Sequence, residues 1–212
     1  MKRIDINQAV DLIKDGMTIM VGGFLGVGAP DDIIKAIVKA GKKDLTIICN
    51  DTAFPECGSG LFVANRLAKK VIASHIGTNP IAGDMMLNGE IEIELVPQGT
   101  LIEQIRCGGS GLGGVLTPTG LGTMVEKGKQ IVNVDGKDFL LEKPLRADVA
   151  LVGASITDSY GNLVFRGTTK NFNPLIAMAA DIVIAQATEE VEKLEPHEIH
   201  TPYLFIDYLV KQ

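Results

Sequence analysis

The chain has 212 residues, 46% of them apolar and 22% charged, with 24 glycines and no tryptophan, the profile of a soluble globular protein with one sizeable core. At this length roughly 70% of the unfolded surface is usually buried, so neither a disulfide framework nor a metal staple is needed for folding. With 20 Lys and Arg against 26 Asp and Glu the net charge is −6, which opposes nonspecific attraction to nucleic acid and to anionic membranes. The longest apolar stretches, such as 18–24 and 45–49, fall far short of the roughly 20 residues that a membrane span requires. Asp5 and Asn7 interrupt the N-terminal segment before a signal-peptide apolar region could form, which points to the cytoplasm. Cys49, Cys57 and Cys107 show no CxxC spacing and read as reduced thiols. His75, His197 and His200 lack an acidic or thiol constellation with metal spacing and read as structural or surface groups, so no metal site is expected.

Along the chain, the apolar run 18–21 ends in glycines, and 31–39 then places Ile33, Ile34, Ile37 and Val38 on one helical face before Gly41. This predicts a strand, a glycine turn and a helix. Further strands are predicted at 45–49, 71–73 and 91–96, the last with Ile91, Ile93 and Leu95 alternating against Glu92 and Glu94. Residues 100–106 carry Leu101, Ile102 and Ile105 at helical spacing. Segments 148–152 and 182–185 read as buried strands around a helix that opens with Asn173 as cap and Pro174 at its first position. The alternation predicts an α/β fold with an open, mostly parallel sheet flanked by helices, in a single domain over 1–212. Two segments interrupt it. Residues 108–122 hold seven glycines and read as a functional loop, and 130–141 reads as a β-hairpin insertion turning on Asp135-Gly136.

Three strand ends could carry chemistry. Val21-Gly22-Gly23-Phe24-Leu25-Gly26-Val27-Gly28-Ala29-Pro30 joins the first strand to the first helix, where glycines allow close backbone approach and the helix N-terminus offers N–H groups to an anion such as a phosphate. A ligand-free tight turn accounts for the glycines equally well, and neither a Walker loop nor a dinucleotide fingerprint fits. Val96-Pro97-Gln98-Gly99-Thr100 and Cys49-Asn50-Asp51-Thr52 end two other strands, on the sheet edge where ligands gather in open α/β folds. Gln98 is equally consistent with a solvated helix start, and Asn50 with a turn cap. None of these ends supplies a nucleophile paired with a base.

Together these segments resemble the family I coenzyme A transferases, specifically the α subunit of the bacterial short-chain and 3-oxoacid enzymes. The resemblance is carried by 15–24, by Gly28-Ala29-Pro30, by Ser74-His75-Ile76-Gly77-Thr78-Asn79-Pro80, by 97–101, by 105–109, by 117–120 and by Lys170-Asn171-Phe172-Asn173, and it covers nearly the whole chain. It implies transfer of CoA between a short-chain acyl-CoA and a free carboxylate by a ping-pong cycle, with CoA a substrate and no cofactor. The nucleophilic glutamate is expected on a β subunit, within a Glu-Asn-Gly segment absent from this chain, so no catalytic residue is assigned here. Asp51, Glu56, Glu90 and Glu103 are expected to be structural or surface acids. The resemblance further implies CoA binding by Phe24, Leu25, Gly26, Val27, Gly28, Ala29 and Pro30, substrate binding by Asn50 and Gln98, and an α2β2 assembly. Asp51 stands where some members carry a second asparagine. A non-catalytic CoA- or nucleotide-binding regulatory module is the alternative.

Overall fold

The computed structural model describes residues 1–210. In chain order the strands and helices are β1 (Lys2–Ile4), α1 (Ile6–Asp11), β2 (Thr18–Val21), α2 (Asp31–Lys39), β3 (Leu45–Cys49), α3 (Gly60–Ala64), β4 (Ala68–Ala73), α4 (Pro80–Leu87), β5 (Glu92–Leu95), α5 (Gln98–Gly109), β6 (Val115–Thr117), β7 (Gln130–Val134), β8 (Lys137–Glu142), β9 (Ala147–Asp158), β10 (Leu163–Val164), α6 (Asn173–Ile176), β11 (Ala180–Val191) and β12 (Tyr208–Val210). One sheet runs β1-β12-β11-β9-β2-β3-β4-β5, all parallel, with β10 added antiparallel to β9. Successive strands march outward from β2 through β3 and β4 to β5, whereas β9, β11 and β12 march the other way. The chain direction therefore switches between β2 and β9, which is where open α/β sheets form their ligand crevice.

The central strands are apolar on both faces because helices cover both. In β2, Ile19 and Val21 join the core under α1 to α4, and Met20 between them joins the opposite core under α5 and α6. The predicted face of α2 delivers Ile33, Ile34 and Ile37 fully buried, each worth about 1.5–3 kcal/mol of transfer free energy. On the other side α5 contributes Leu101 and Ile105.

The second sheet, β6-β8-β7, is antiparallel. Its β7-β8 hairpin turns on Asp135 (φ 49°) and Gly136 (φ 79°), as the Asp-Gly pair predicts. The glycine-rich 108–122 segment is more ordered than its composition suggests. Gly108 and Gly109 complete α5, and 115–117 form β6, which adds a third strand to the hairpin. A Cβ at Gly108 would stand 1.9 Å from the Leu145 carbonyl oxygen, so close packing explains that glycine. Strands β9 and β11 outrun their apolar cores, pairing as far as Asp158 with Val191. Among the described residues no helix is long and apolar enough to cross a membrane.

A candidate ligand cleft at the strand ends

The turn after β2 closes on itself: Phe24 N donates to Val27 O at 3.0 Å and Val27 N to Phe24 O at 2.9 Å. Its two central residues are Leu25 (φ 50°) and Gly26 (φ 85°). Both signs suit a tight primed turn, but a leucine in the left-handed region costs on the order of 1–3 kcal/mol and persists only where its surroundings enforce it. One enforcer is Asp51, 3% exposed at the end of β3. Its carboxylate accepts from Leu25 N (3.1 and 3.2 Å), from Ala53 N (2.8 Å) and from Asn50 Nδ2 (2.6 Å). Ala53 is itself left-handed, at φ 47°. Ser74 Oγ donates to Asn50 O, and Ser59 Oγ to Asp51 O, each at 2.7 Å, which fixes the backbone beneath these side chains.

From the other side the turn is held by the segment before α6. Asn171 accepts from Gly23 N at 3.0 Å and donates to Val27 O at 3.2 Å. Asn173, fully buried, donates to Gly28 O and to Thr169 O, both at 2.9 Å, and accepts from Gly153 N at 3.0 Å. The Asn-Pro pair therefore does not act as a helix cap. Phe172 occupies the cap position of a four-residue helix, and the Asn173 amide is spent on clamping the turn to β9. A Cβ at Gly28 would meet Thr169 Cα at 2.8 Å, and one at Gly26 would meet Cys57 Sγ at 2.6 Å. These glycines are thus required by protein packing, whatever they also allow to a ligand.

Two cavities flank the turn. The smaller, about 220 Å³, is lined by Phe24, Asn50, Gln98, Gly99, Ile102, Asn171 and Phe172. It brings together the three sequence-selected strand ends, and Gln98, the first residue of α5, donates through Nε2 to Asn50 Oδ1 at 2.7 Å. The larger, about 540 Å³, takes in Gly28, Ala29 and Pro30 along with Asp31, Asp32, Gln186 and Thr188. Of the 24–30 segment, Phe24 thus lines the smaller cavity and Gly28, Ala29 and Pro30 the larger, while Leu25, Gly26 and Val27 line neither.

The start of α2, in the larger cavity, does not suit a phosphate. The first turn of α2 already carries Asp31, which accepts from Gly58 N at 2.9 Å, and Asp32, which accepts from Gln186 Nε2 at 2.6 Å. Two carboxylates complement the helix dipole there, so the helix N-terminus is not the anion site that the glycines alone suggested; Asp31-Asp32 was the signal in the sequence.

No side chain lining the smaller cleft is a carboxylate, a thiol or an imidazole. Glu90 pairs with Arg66, Glu103 pairs with Arg106 at 2.7 Å, and Glu56 is exposed. Burial pushes the Cys49 thiol up to about 12, which keeps it protonated and inert. All three cysteines are free. His200 serves structure, its Nδ1 accepting from Phe165 N at 3.0 Å while its ring stacks on that phenylalanine. Among the described residues no group of His, Cys, Asp and Glu stands together as a metal site would require. What the cleft offers is a pair of coupled amides beside two aromatic rings, able to bind and polarise an oxygen but not to attack a carbonyl. Asn171, Phe172 and Ile102 were not expected from the sequence as site residues, although 170–173 carries part of the family resemblance and Ile102 was read on the apolar face of its helix.

A family model described as coenzyme A transferase matches residues 3–212. The chain is 54% identical over 211 residues to the acetate CoA-transferase alpha subunit of Escherichia coli K12, covering 99% of this chain and 96% of that one. It is 55% identical over 213 residues to the acetoacetyl-CoA:acetate/butyrate CoA transferase alpha subunit of Clostridium acetobutylicum, covering 100% and 98%. Among solved structures, the acyl-CoA transferase YdiF of E. coli O157:H7, in a thioester complex with CoA, superposes with a TM-score of 0.87 at 24% identity. That match covers all of this chain and 47% of YdiF, so the chain spans about half the length of that enzyme and shares its fold.

Proposed function

The chain belongs to the coenzyme A transferase family, matching its α subunits over nearly their full length, and from this we propose that it forms, as a single unit over 1–212, one half of an active site completed by a β subunit in an α2β2 assembly. The reaction moves CoA between a short-chain acyl-CoA (acetoacetyl-, acetyl- or butyryl-CoA) and a free carboxylate. A glutamate of the partner attacks the acyl-CoA carbonyl, releasing CoA thiolate and leaving an acyl-glutamyl anhydride. The thiolate then attacks the glutamyl carbonyl, releasing the first carboxylate and leaving a glutamyl-CoA thioester. An incoming carboxylate reverses both steps. In each addition negative charge develops on a carbonyl oxygen, and oriented N–H donors placed there lower the barrier most.

The observation that supports this reading is the 2.7 Å contact between Gln98 and Asn50 in a cleft that no carboxylate lines. Such a cleft suits the recognition half of a transferase site, with the amides toward the acyl and carboxylate end and 24–30 along the CoA. The test is separation and recombination. The chain purified alone folds without transferase activity, and co-expression with the β subunit restores it. After incubation with acyl-CoA, mass spectrometry of the separated subunits places the CoA adduct on the partner. Activity in the isolated chain, or a CoA adduct on one of its glutamates, would overturn the proposal. CoA binding with no activity in the complex would favour a regulatory module.

A further inference from the structure

The amide of an asparagine or glutamine is a donor at one end and an acceptor at the other, so what it offers a ligand depends on which way it is turned. At the cleft this choice is made at a buried point. Both Asp51 carboxylate oxygens accept hydrogen bonds, from Leu25 N, Ala53 N and Asn50 Nδ2. With Nδ2 of Asn50 held 2.6 Å from Asp51 Oδ2, its Oδ1 must face the other way, where it meets Gln98 Nε2 at 2.7 Å. Turning either amide would set oxygen against oxygen or N–H against N–H. The order Gln98 to Asn50 to Asp51 therefore has one direction, fixed at its acceptor-only end.

We infer that Asp51 is a positioning residue: its carboxylate sets the direction of the Asn50–Gln98 pair, so that each amide keeps its second N–H for a substrate oxygen, and the same carboxylate holds the left-handed Leu25 and Ala53 that bring the CoA-facing turn against that pair. The inference rests on the proposed substrate-binding role of Asn50 and Gln98. One buried group thereby ties two parts of the site together. An asparagine at 51 retains one acceptor for Leu25 and Ala53 but presents a donor to Asn50, which lets the chain of amides run backwards.

The test uses the purified complex with the β subunit, and compares Asp51→Asn with the natural chain in two backgrounds. One is otherwise unchanged. The other carries Leu25→Gly and Ala53→Gly, which adopt positive φ freely and so release the fold from its need of the carboxylate. In both backgrounds Asp51→Asn lowers kcat about tenfold with little change in KM, the pattern of a lost transition-state contact. Added to Gln98→Ala it lowers kcat no further, because it acts through Gln98. Recovery of kcat in the glycine background, an additive loss with Gln98→Ala, or failure to fold in both backgrounds would each overturn the inference and leave Asp51 a holder of backbone alone. If Gln98→Ala itself leaves kcat unchanged, it is the substrate-binding reading of the cleft that falls.

Discussion

The two cavities beside the Gly22–Pro30 turn differ in chemistry. The larger is lined by Asp31 and Asp32, whose carboxylates are committed to Gly58 N and Gln186 Nε2. The smaller presents Asn50 and Gln98, whose amides bond each other and retain further N–H groups. On the proposed function, a carboxylate substrate or a developing oxyanion would be repelled by the first set and would find donors in the second. Polarity and available donors, rather than volume, are therefore what favour the smaller cleft as the proposed recognition site, and the contrast can be broken in several ways.

The largest expected effect is catalytic. In the assembled enzyme Gln98→Ala lowers kcat by roughly 10²-fold or more, as loss of an oriented donor worth about 2.7–4 kcal/mol requires, while assembly and melting temperature are kept. Gln186→Ala, in the larger cavity, changes kcat by less than about threefold, because its amide serves Asp32. Steady-state assays of the two complexes decide the matter, and equal losses at both positions would erase the distinction between the cavities.

The clamp that holds the turn should be the next most sensitive place. Gly28→Val places a β-branched side chain at φ 82° against Thr169 Cα and costs about 3 kcal/mol or more. Asn173→Ala removes three hydrogen bonds from a fully buried position, leaving Gly28 O and Gly153 N without that partner, and costs about 2–4 kcal/mol. Denaturant midpoints of the isolated chain measure both. If either variant unfolds like the natural chain, the turn is held by something other than the Asn173 clamp.

The sequence made the strands around the switch point readable because each is a short apolar run closed by glycine or a polar residue, and β2, α2 and β3 begin and end where the pattern predicts. Phe24, Asn50 and Gln98 could be selected for the same reason, since the ends of neighbouring parallel strands must meet at one sheet edge. What could not be read was enforced from a distance. Leu25 carries no local signal for positive φ, because the compensation comes from Asp51, 26 residues away, whereas at Ala53 the same carboxylate acts from two residues away. Asn173 followed by proline has the local signature of a helix start, and long-range bonds to the turn override it. The tails of β9 and β11 are polar enough to hide strands that their mutual pairing, and that of β9 with β10, stabilises.

A second buried aspartate gives the smallest effect and a control for the first. Asp158, 1% exposed at the end of β9, accepts from Tyr160 N, Asn162 N, Asn162 Nδ2 and Leu194 N. Burial raises its pKa, but the bonds from Asn162, Leu194 and Tyr160 outweigh that and hold the carboxyl below its ordinary value. The folded state therefore binds this proton less readily than the unfolded state. Its contribution to stability is complete above the ordinary aspartate value, about 3.9, and is lost as the pH falls through the lower folded value. Asp158→Asn should cost about 1–2 kcal/mol near neutrality and flatten the fall in melting temperature between about pH 4 and pH 2. Because Asp158 stands apart from both cavities, the same substitution should leave kcat of the complex within about twofold, whereas Asp51→Asn lowers it about tenfold. Both residues are buried carboxylates that accept backbone N–H groups, and only one of them also orients an amide in the cleft. Melting curves across the acid range, together with kcat for the two variants, measure that difference, and a parallel loss of kcat at both positions would mean that burial of a carboxylate, rather than the direction of the Asn50–Gln98 pair, governs the rate.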